Sequence, residues 1–320
     1  MNRRDFIAAG VAALVPTAIL AEQRKMETVA LLLGGSFPEF QIGVFRQGLH
    51  DLGYVEGQSI RIEIHSAEDD AQRLPELAAS LVRDKVDVIV PFGTNAALAA
   101  RHATSEIPIV LLANGDPIGV GLVDSLAHPG GNITGTSSMH AELAAKHVEL
   151  LKDMLPNLHR VAALSNSAAA FFGQVFLKQI AAAGNARQVE IVPMILAPGA
   201  ELDAAFPAMV RGNVEAVIVQ GSLVNKHVAD LGLEYRLPTV SPFLSFAALG
   251  GLMSYAGAQK ENIRGAARLV DKILKGERPG DLPVQQPSRF ELVINLKTAK
   301  ALGLTIPHTV LLRADEVIEQ

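Results

Sequence analysis

Apolar residues fall in short blocks along the chain, and polar residues return between them with two distinct periods. "TVALLL" (Thr28–Leu33) is apolar after its first residue, the pattern of a strand buried on both faces. Ile42, Phe45, Leu49 and Leu52 then recur at helical spacing. Ser59–His65 alternates Ile60, Ile62 and Ile64 with Arg61, Glu63 and His65, which predicts a strand with one wet face near a sheet edge. Val86–Val90 and Ile109–Ala113 are dominated by apolar residues, as inner parallel strands are. Strands alternating with helical patterns predict an α/β fold built on parallel sheets.

The pattern then restarts. "VALLLGGS" at Val29 has a counterpart in "VAALSNSA" at Val161, and "VRDKVDVIVPFGT" (Val82–Thr94) in "VRGNVEAVIVQGS" (Val210–Ser222). Two similar α/β lobes follow from this repeat. The last third starts no new lobe. "GGLMSYAG" (Gly250–Gly257) reads as a strand, and Ile263, Ala267, Val270, Ile273 and Leu274 mark one face of the next helix. After "KGERPGDLP" comes a final strand, Phe290–Ile294, and a short helix to Leu302. The Gly and Pro breaks are where a chain passing between lobes would bend.

Composition narrows the function. Hydrophobic residues make up 49% of 320 and charged residues 19%, which suits a compact protein. A net charge of −5 and the lack of Trp argue against nucleic acid as a partner. Arg3 and Arg4 precede the short apolar run "IAAGVAALVPTAILA", a signal peptide with a twin-arginine start, cleaved near Ala21. The run is shorter than the roughly 20 residues a spanning helix needs. There is no Cys, which excludes disulfides, thiol catalysis and a lipoprotein anchor. The expected location is a periplasm-like space.

Parallel sheets bind ligands beyond the carboxyl ends of their strands. The residues following the predicted strands are Gly34-Gly35-Ser36-Phe37, Gly93-Thr94-Asn95, Asn114-Gly115-Asp116, Asn166-Ser167, Gly221-Ser222 and Ser254-Tyr255. They are small and polar, with a single carboxylate, and helices starting beside them offer free N–H groups to a ligand carboxylate. The candidate binding residues are therefore Ser36, Phe37, Gly93, Thr94, Asn95, Asp116, Asn166, Phe171, Ser222, Ser254 and Tyr255. Each has a structural alternative. Ser36, Thr94 and Ser222 can cap helices, and Asp116, placed just before Pro117, can be the N-cap of a helix that Pro117 opens. Phe37, Phe171 and Tyr255 can be core. No nucleophile elbow, P-loop, dinucleotide fingerprint or zinc-protease motif is present, so no enzyme activity, cofactor or metal is expected. His140 and His147 share a helical spacing without a placed carboxylate, a poor metal site.

"FRQGLHDLGYVEGQSIRIEI", "GDPIGVGLVDSLAHPGGNITG", "GGLMSYAG" and "ILKGERPGDLPVQQPSRFELVINLKTAKALGLTIP" together resemble the ABC transporter substrate-binding proteins of the TrpX/YtrF-like branch, over essentially the whole chain. The resemblance implies a type I periplasmic-binding fold: two Rossmann-like lobes, three crossovers and a ligand in the cleft between them. On this chain it implies one lobe from residues 26–137 and 250–280, and another from 138–249 and 281–320, after a signal peptide at 1–21. It also implies a monomer that closes on a small molecule and delivers it to an ABC permease. Relatives with known ligands take aromatic or other apolar amino acids. Delivery to a sensor instead of a permease is the alternative. Asp116 would meet a ligand ammonium or hydroxyl, Thr94, Asn95 and Ser36 a carboxylate, and Phe37, Phe171 and Tyr255 an apolar tail. "SNSAAAFF" and Leu244-Ser245-Phe246 depart from more polar family patterns, which predicts a less polar second-lobe wall and a more apolar ligand.

Overall fold

The computed structural model describes residues 26–34, 39–68, 70–139, 143–166, 170–196 and 202–319. The expected signal peptide lies outside these residues, as do Ser36, Phe37 and His140.

The first sheet gathers β1 (Glu27–Leu33), β2 (Ile60–Ser66), β3 (Val88–Phe92), β4 (Ile109–Asn114) and β5 (Ile133–Ser137) in the order β2-β1-β3-β4-β5, all parallel. The alternating strand β2 is at the edge, as its pattern requires. Between these strands run α1 (Glu39–Asp51), α2 (Leu74–Arg83) and α3 (Thr94–Ala103). Phe45, Leu49 and Ile42 of α1 cover one sheet face, and Leu81, Ala97 and Ala100 of α2 and α3 help cover the other. Full burial of a side chain such as Phe45 stabilises by about 1.5–3 kcal/mol.

The second half contributes α4 (Ala144–Met154), β6 (Arg160–Asn166), α5 (Ala170–Arg187), β7 (Glu190–Leu196), α6 (Leu202–Arg211), β8 (Ala216–Val219), α7 (Lys226–Glu234), β9 (Thr239–Ser241), α8 (Ser245–Ala248) and β10 (Met253–Gly257). The chain then forms α9 (Gln259–Leu274), β11 (Phe290–Asn295), α10 (Leu296–Ala301), α11 (His308–Leu311) and β12 (Glu316–Ile318). The second sheet has the order β12-β11-β10-β9-β8-β6-β7, with β11 antiparallel to β10. The repeat seen in the sequence is structural: α2 and α6 have the same length at the same offset, and Lys85 and Asn213 after them share a left-handed φ of 53° and 54°.

Three sequence expectations are corrected. Residues 250–257 were expected in the first lobe, but β10 pairs with β9 and β11 in the second sheet. Only from α9 does the chain return, where Ile263, Ala267 and Val270 join the core around Phe45. Leu282, Val284 and Gln285, expected in the second lobe, belong to the first: Leu282 and Val284 enter its two cores and Gln285 bridges to Thr136 of β5. Periodicity marks a strand but not its neighbour, so the crossover positions were out of reach. The strand β12, beyond Leu302, was not foreseen, because three residues carry no period.

Candidate functional site

The crossovers fix how the sheets meet. In parallel α/β units each strand ends, and the next helix begins, at the carboxyl edge. β5 ends at Ser137 on the first sheet's carboxyl edge, and α4 begins at Ala144 on the second's. β10 ends at Gly257 and α9 begins at Gln259, so a single residue, Ala258, links the two edges. Two Cα steps span at most about 7 Å. The third connection runs from Gln285, beside β5, to Phe290, which pairs with Gly257. It packs on the second: a Cβ at Gly257 would lie 2.6 Å from the Pro287 ring. The two carboxyl edges therefore face one another across a cleft, where open α/β sheets hold ligands.

On the first lobe's edge, Gly93 precedes α3 with φ 80° and no side-chain cap, so α3 starts on half-buried Thr94 and exposed Asn95. Thr94 is thus the first helical residue, not the cap. The helix expected after Asp116 does not form. Pro117–Gly121 is a run of turns in which the Leu122 and Val123 N–H groups both return to the Pro117 carbonyl. Half-buried Asp116 closes the first turn, its Oδ1 accepting the Gly119 N–H at 2.8 Å. The turn ends at Gly121, with φ 70°, a conformation a continuing helix does not allow.

On the second edge, Asn166 ends β6, its N–H donating to Gln220 Oε1 at 2.8 Å. Phe171 lies in the first turn of α5; its side chain is outside the described residues. Ser222 is exposed in a 3₁₀ turn and does not cap α7; Asn225 does, accepting the Val228 N–H at 2.9 Å. Ser254 is fully buried and accepts the Ala247 N–H at 2.9 Å, so it clamps α8 instead of facing a ligand. Tyr255 is half-buried against the second core, stacked on Phe290 (6.0 Å, 22°) and meeting His147 edge-on (6.2 Å, 73°). Burial pushes its hydroxyl pKa up. Phe246, expected to make the cleft wall apolar, is fully buried in the same core cluster as Phe206 and Val228.

Three buried amides were not among the expected binding residues. Asn114, the last residue of β4, is 1% exposed, and neither its Oδ1 nor its Nδ2 has a hydrogen-bond partner among the described residues. Gln41 of α1 is fully buried and equally unpartnered. Gln220, just after β8, is fully buried; its Oε1 is bound while its Nε2 has no partner. Buried polar groups nearly always have partners, and each one lacking them costs about 1–3 kcal/mol. The sequence signal was a Gln closing the apolar run "AVIVQGS", where the first repeat has Phe92. Two surface hollows, of about 230 Å³ around His50 and Tyr54 and about 330 Å³ around Leu155 and Arg236, lie toward the amino edges, away from the cleft.

Comparison with known proteins matches residues 29–318 to the family model described as ABC transporter substrate binding protein. A tyrosine-binding protein of Clostridioides difficile (strain R20291) is 29% identical over 265 residues, which cover 81% of this chain and 75% of that protein. The solved ABC domain from Streptococcus pneumonia in complex with L-Trp is 27% identical, with a TM-score of 0.85 over 92% of this chain and 100% of that one. A conserved domain protein from Vibrio cholerae matches with 27% identity and a TM-score of 0.84 over the same shares.

Proposed function

We propose, from the premise that this chain belongs to the ABC transporter substrate binding protein family, that it is the extracytoplasmic receptor of an importer for an amino acid or aromatic carboxylate. The observation that carries the reading is Asn114. Its side chain is buried at the carboxyl end of β4 with both polar atoms unpaired. Two residues back, Leu112 pairs with Phe92, so Asn114 stands level with the uncapped start of α3 at Thr94. The Nδ2 donor of Asn114 beside the N–H groups at the helix start suits a bound carboxylate, which the helix start also favours electrostatically, and its Oδ1 is left for a donor such as the ligand's ammonium.

In this reading Gly93, Thr94, Asn95 and Asn114 hold the carboxylate from the first lobe, and the second oxygen of Asp116 meets an ammonium. From the second lobe Asn166, Gln220 and Ser222 close over the other end, while Tyr255 supports the wall from behind. Ligand contacts to both lobes favour the closed form by their differential affinity for it. The protein acts as a monomer, exported by its twin-arginine signal peptide and cleaved near Ala21, and hands its ligand to a permease. No catalytic step is assigned to it. The relatives that bind tyrosine and L-Trp support an amino acid with a ring.

A thermal-shift screen of the purified protein against the amino acids and simple aromatic carboxylates tests this. A ligand at 100 times its Kd adds about 2.7 kcal/mol of stability. Absence of any shift across the screen would overturn the reading.

A further inference from the structure

We infer that Gln220 sets the ligand's chemistry at the second-lobe end of the cleft: the ligand's far end carries a neutral oxygen acceptor, such as a phenol or a carboxamide, and not a purely apolar tail. The inference rests on the receptor reading above and deepens it.

The carboxamide is fixed in one orientation. Ser165 Oγ lies 3.1 Å and the Asn166 N–H 2.8 Å from the same atom, and a backbone N–H can only donate. That atom is therefore the carbonyl oxygen, and the amide nitrogen is the free end. Its two N–H donors have no acceptor among the described residues although the residue is 0% exposed. Gln220 follows directly on β8, whose end lies on the carboxyl edge beside the end of β6. Donors without acceptors select for a ligand that brings one. A site built to bond a substrate oxygen rejects the analogue lacking it far more strongly than an apolar pocket separates two hydrocarbons. The described hydrogen-bond partners of the Gln220 side chain, Ser165 and the Asn166 N–H, are neutral, and burying a ligand anion against neutral groups alone is costly. A neutral oxygen fits best. This reverses the more apolar ligand that the local sequence departures suggested, because Phe246 is core and Gln220 supplies a polar contact in its place.

The test is calorimetric titration of the purified protein with matched pairs: L-tyrosine against L-phenylalanine, 4-hydroxybenzoate against benzoate, and L-glutamine against L-methionine. The expected result is tighter binding of the oxygen-bearing member, by about tenfold or more, in any pair that binds. In Q220L that preference collapses to within about threefold while the apolar member keeps its affinity; Q220M serves if Q220L does not fold. Equal affinity within every binding pair in the unmodified protein overturns the inference and leaves the receptor reading standing. If no member of any pair binds and the wider screen is also silent, both fall.

Discussion

Asp87 and Glu215 make the same bond at equivalent places in the two lobes. Each stands one residue before an inner strand, and its carboxylate accepts backbone N–H groups at the start of the neighbouring strand. Asp87 Oδ2 takes the Thr28 N–H at 2.8 Å; Glu215 Oε2 takes those of His159 and Arg160 at 2.6 and 2.8 Å. In both cases the residue's own N–H returns to the facing carbonyl, of Thr28 or Arg160. The contact pins strand register where the first and third strands of each lobe's repeat come together, β1 with β3 and β6 with β8, at the edge remote from the cleft.

Replacing Asp87 by Ala removes a charge-assisted bond in a half-buried position, and we expect a loss of about 2 kcal/mol in urea unfolding. Glu215 is exposed, so water replaces its contacts and E215A costs less despite the second bond. Ligand affinity stays unchanged in both. A larger loss for E215A would show that register in the second lobe depends on this carboxylate more than burial indicates.

His147 gives a pH dependence with a definite sign. The ring is 0% exposed, and its Nδ1 lies 2.8 Å from the Leu143 carbonyl, which can only accept, so Nδ1 carries a proton. Burial holds the pKa below the ordinary 6.5. The unfolded chain therefore takes up a proton first as pH falls. Stability from the neutral ring is complete above 6.5 and is lost as pH drops from there through the lowered folded value. In H147Q, which keeps an N–H for Leu143, urea midpoints at pH 7.5 and 5.5 should lie closer together than in the unmodified protein. Parallel shifts would place the titration elsewhere.

What the sequence revealed and what it hid separate along one physical line. Strands buried on both faces, such as Thr28–Leu33, and the half-exposed β2 wrote their environment into apolar spacing, and the repeat around Asp87 and Glu215 was visible because two lobes solve the same packing problem. The sheet that β10 joins, and the return of Leu282–Gln285 to the first lobe, depend on long-range pairing that no local period encodes. Site residues were legible by position at strand ends but not by orientation. Ser254 and Tyr255 are adjacent, yet one hydroxyl serves α8 and the other ring packs toward His147. The unpaired amides Gln41, Asn114 and Gln220 look like ordinary polar residues until burial removes their water.

Asp116 poses the question of turn against ligand most sharply, and two substitutions separate the answers. One carboxylate oxygen holds the Gly119 N–H, which leaves the other for a ligand ammonium. Asn keeps the acceptor and removes the charge. We therefore expect D116N to unfold within about 0.5 kcal/mol of the unmodified protein, while D116A loses about 1 kcal/mol with the bond that closes the turn. Binding responds to charge instead: both variants should weaken an amino acid ligand at least tenfold and leave a carboxylate without an amine nearly unaffected. G119A offers an independent handle, because a Cβ there would overlap the Asp116 carboxylate and displace it without removing it. If D116N binds an amino acid as well as the unmodified protein and only D116A is impaired, the carboxylate closes a turn and the ammonium is held elsewhere.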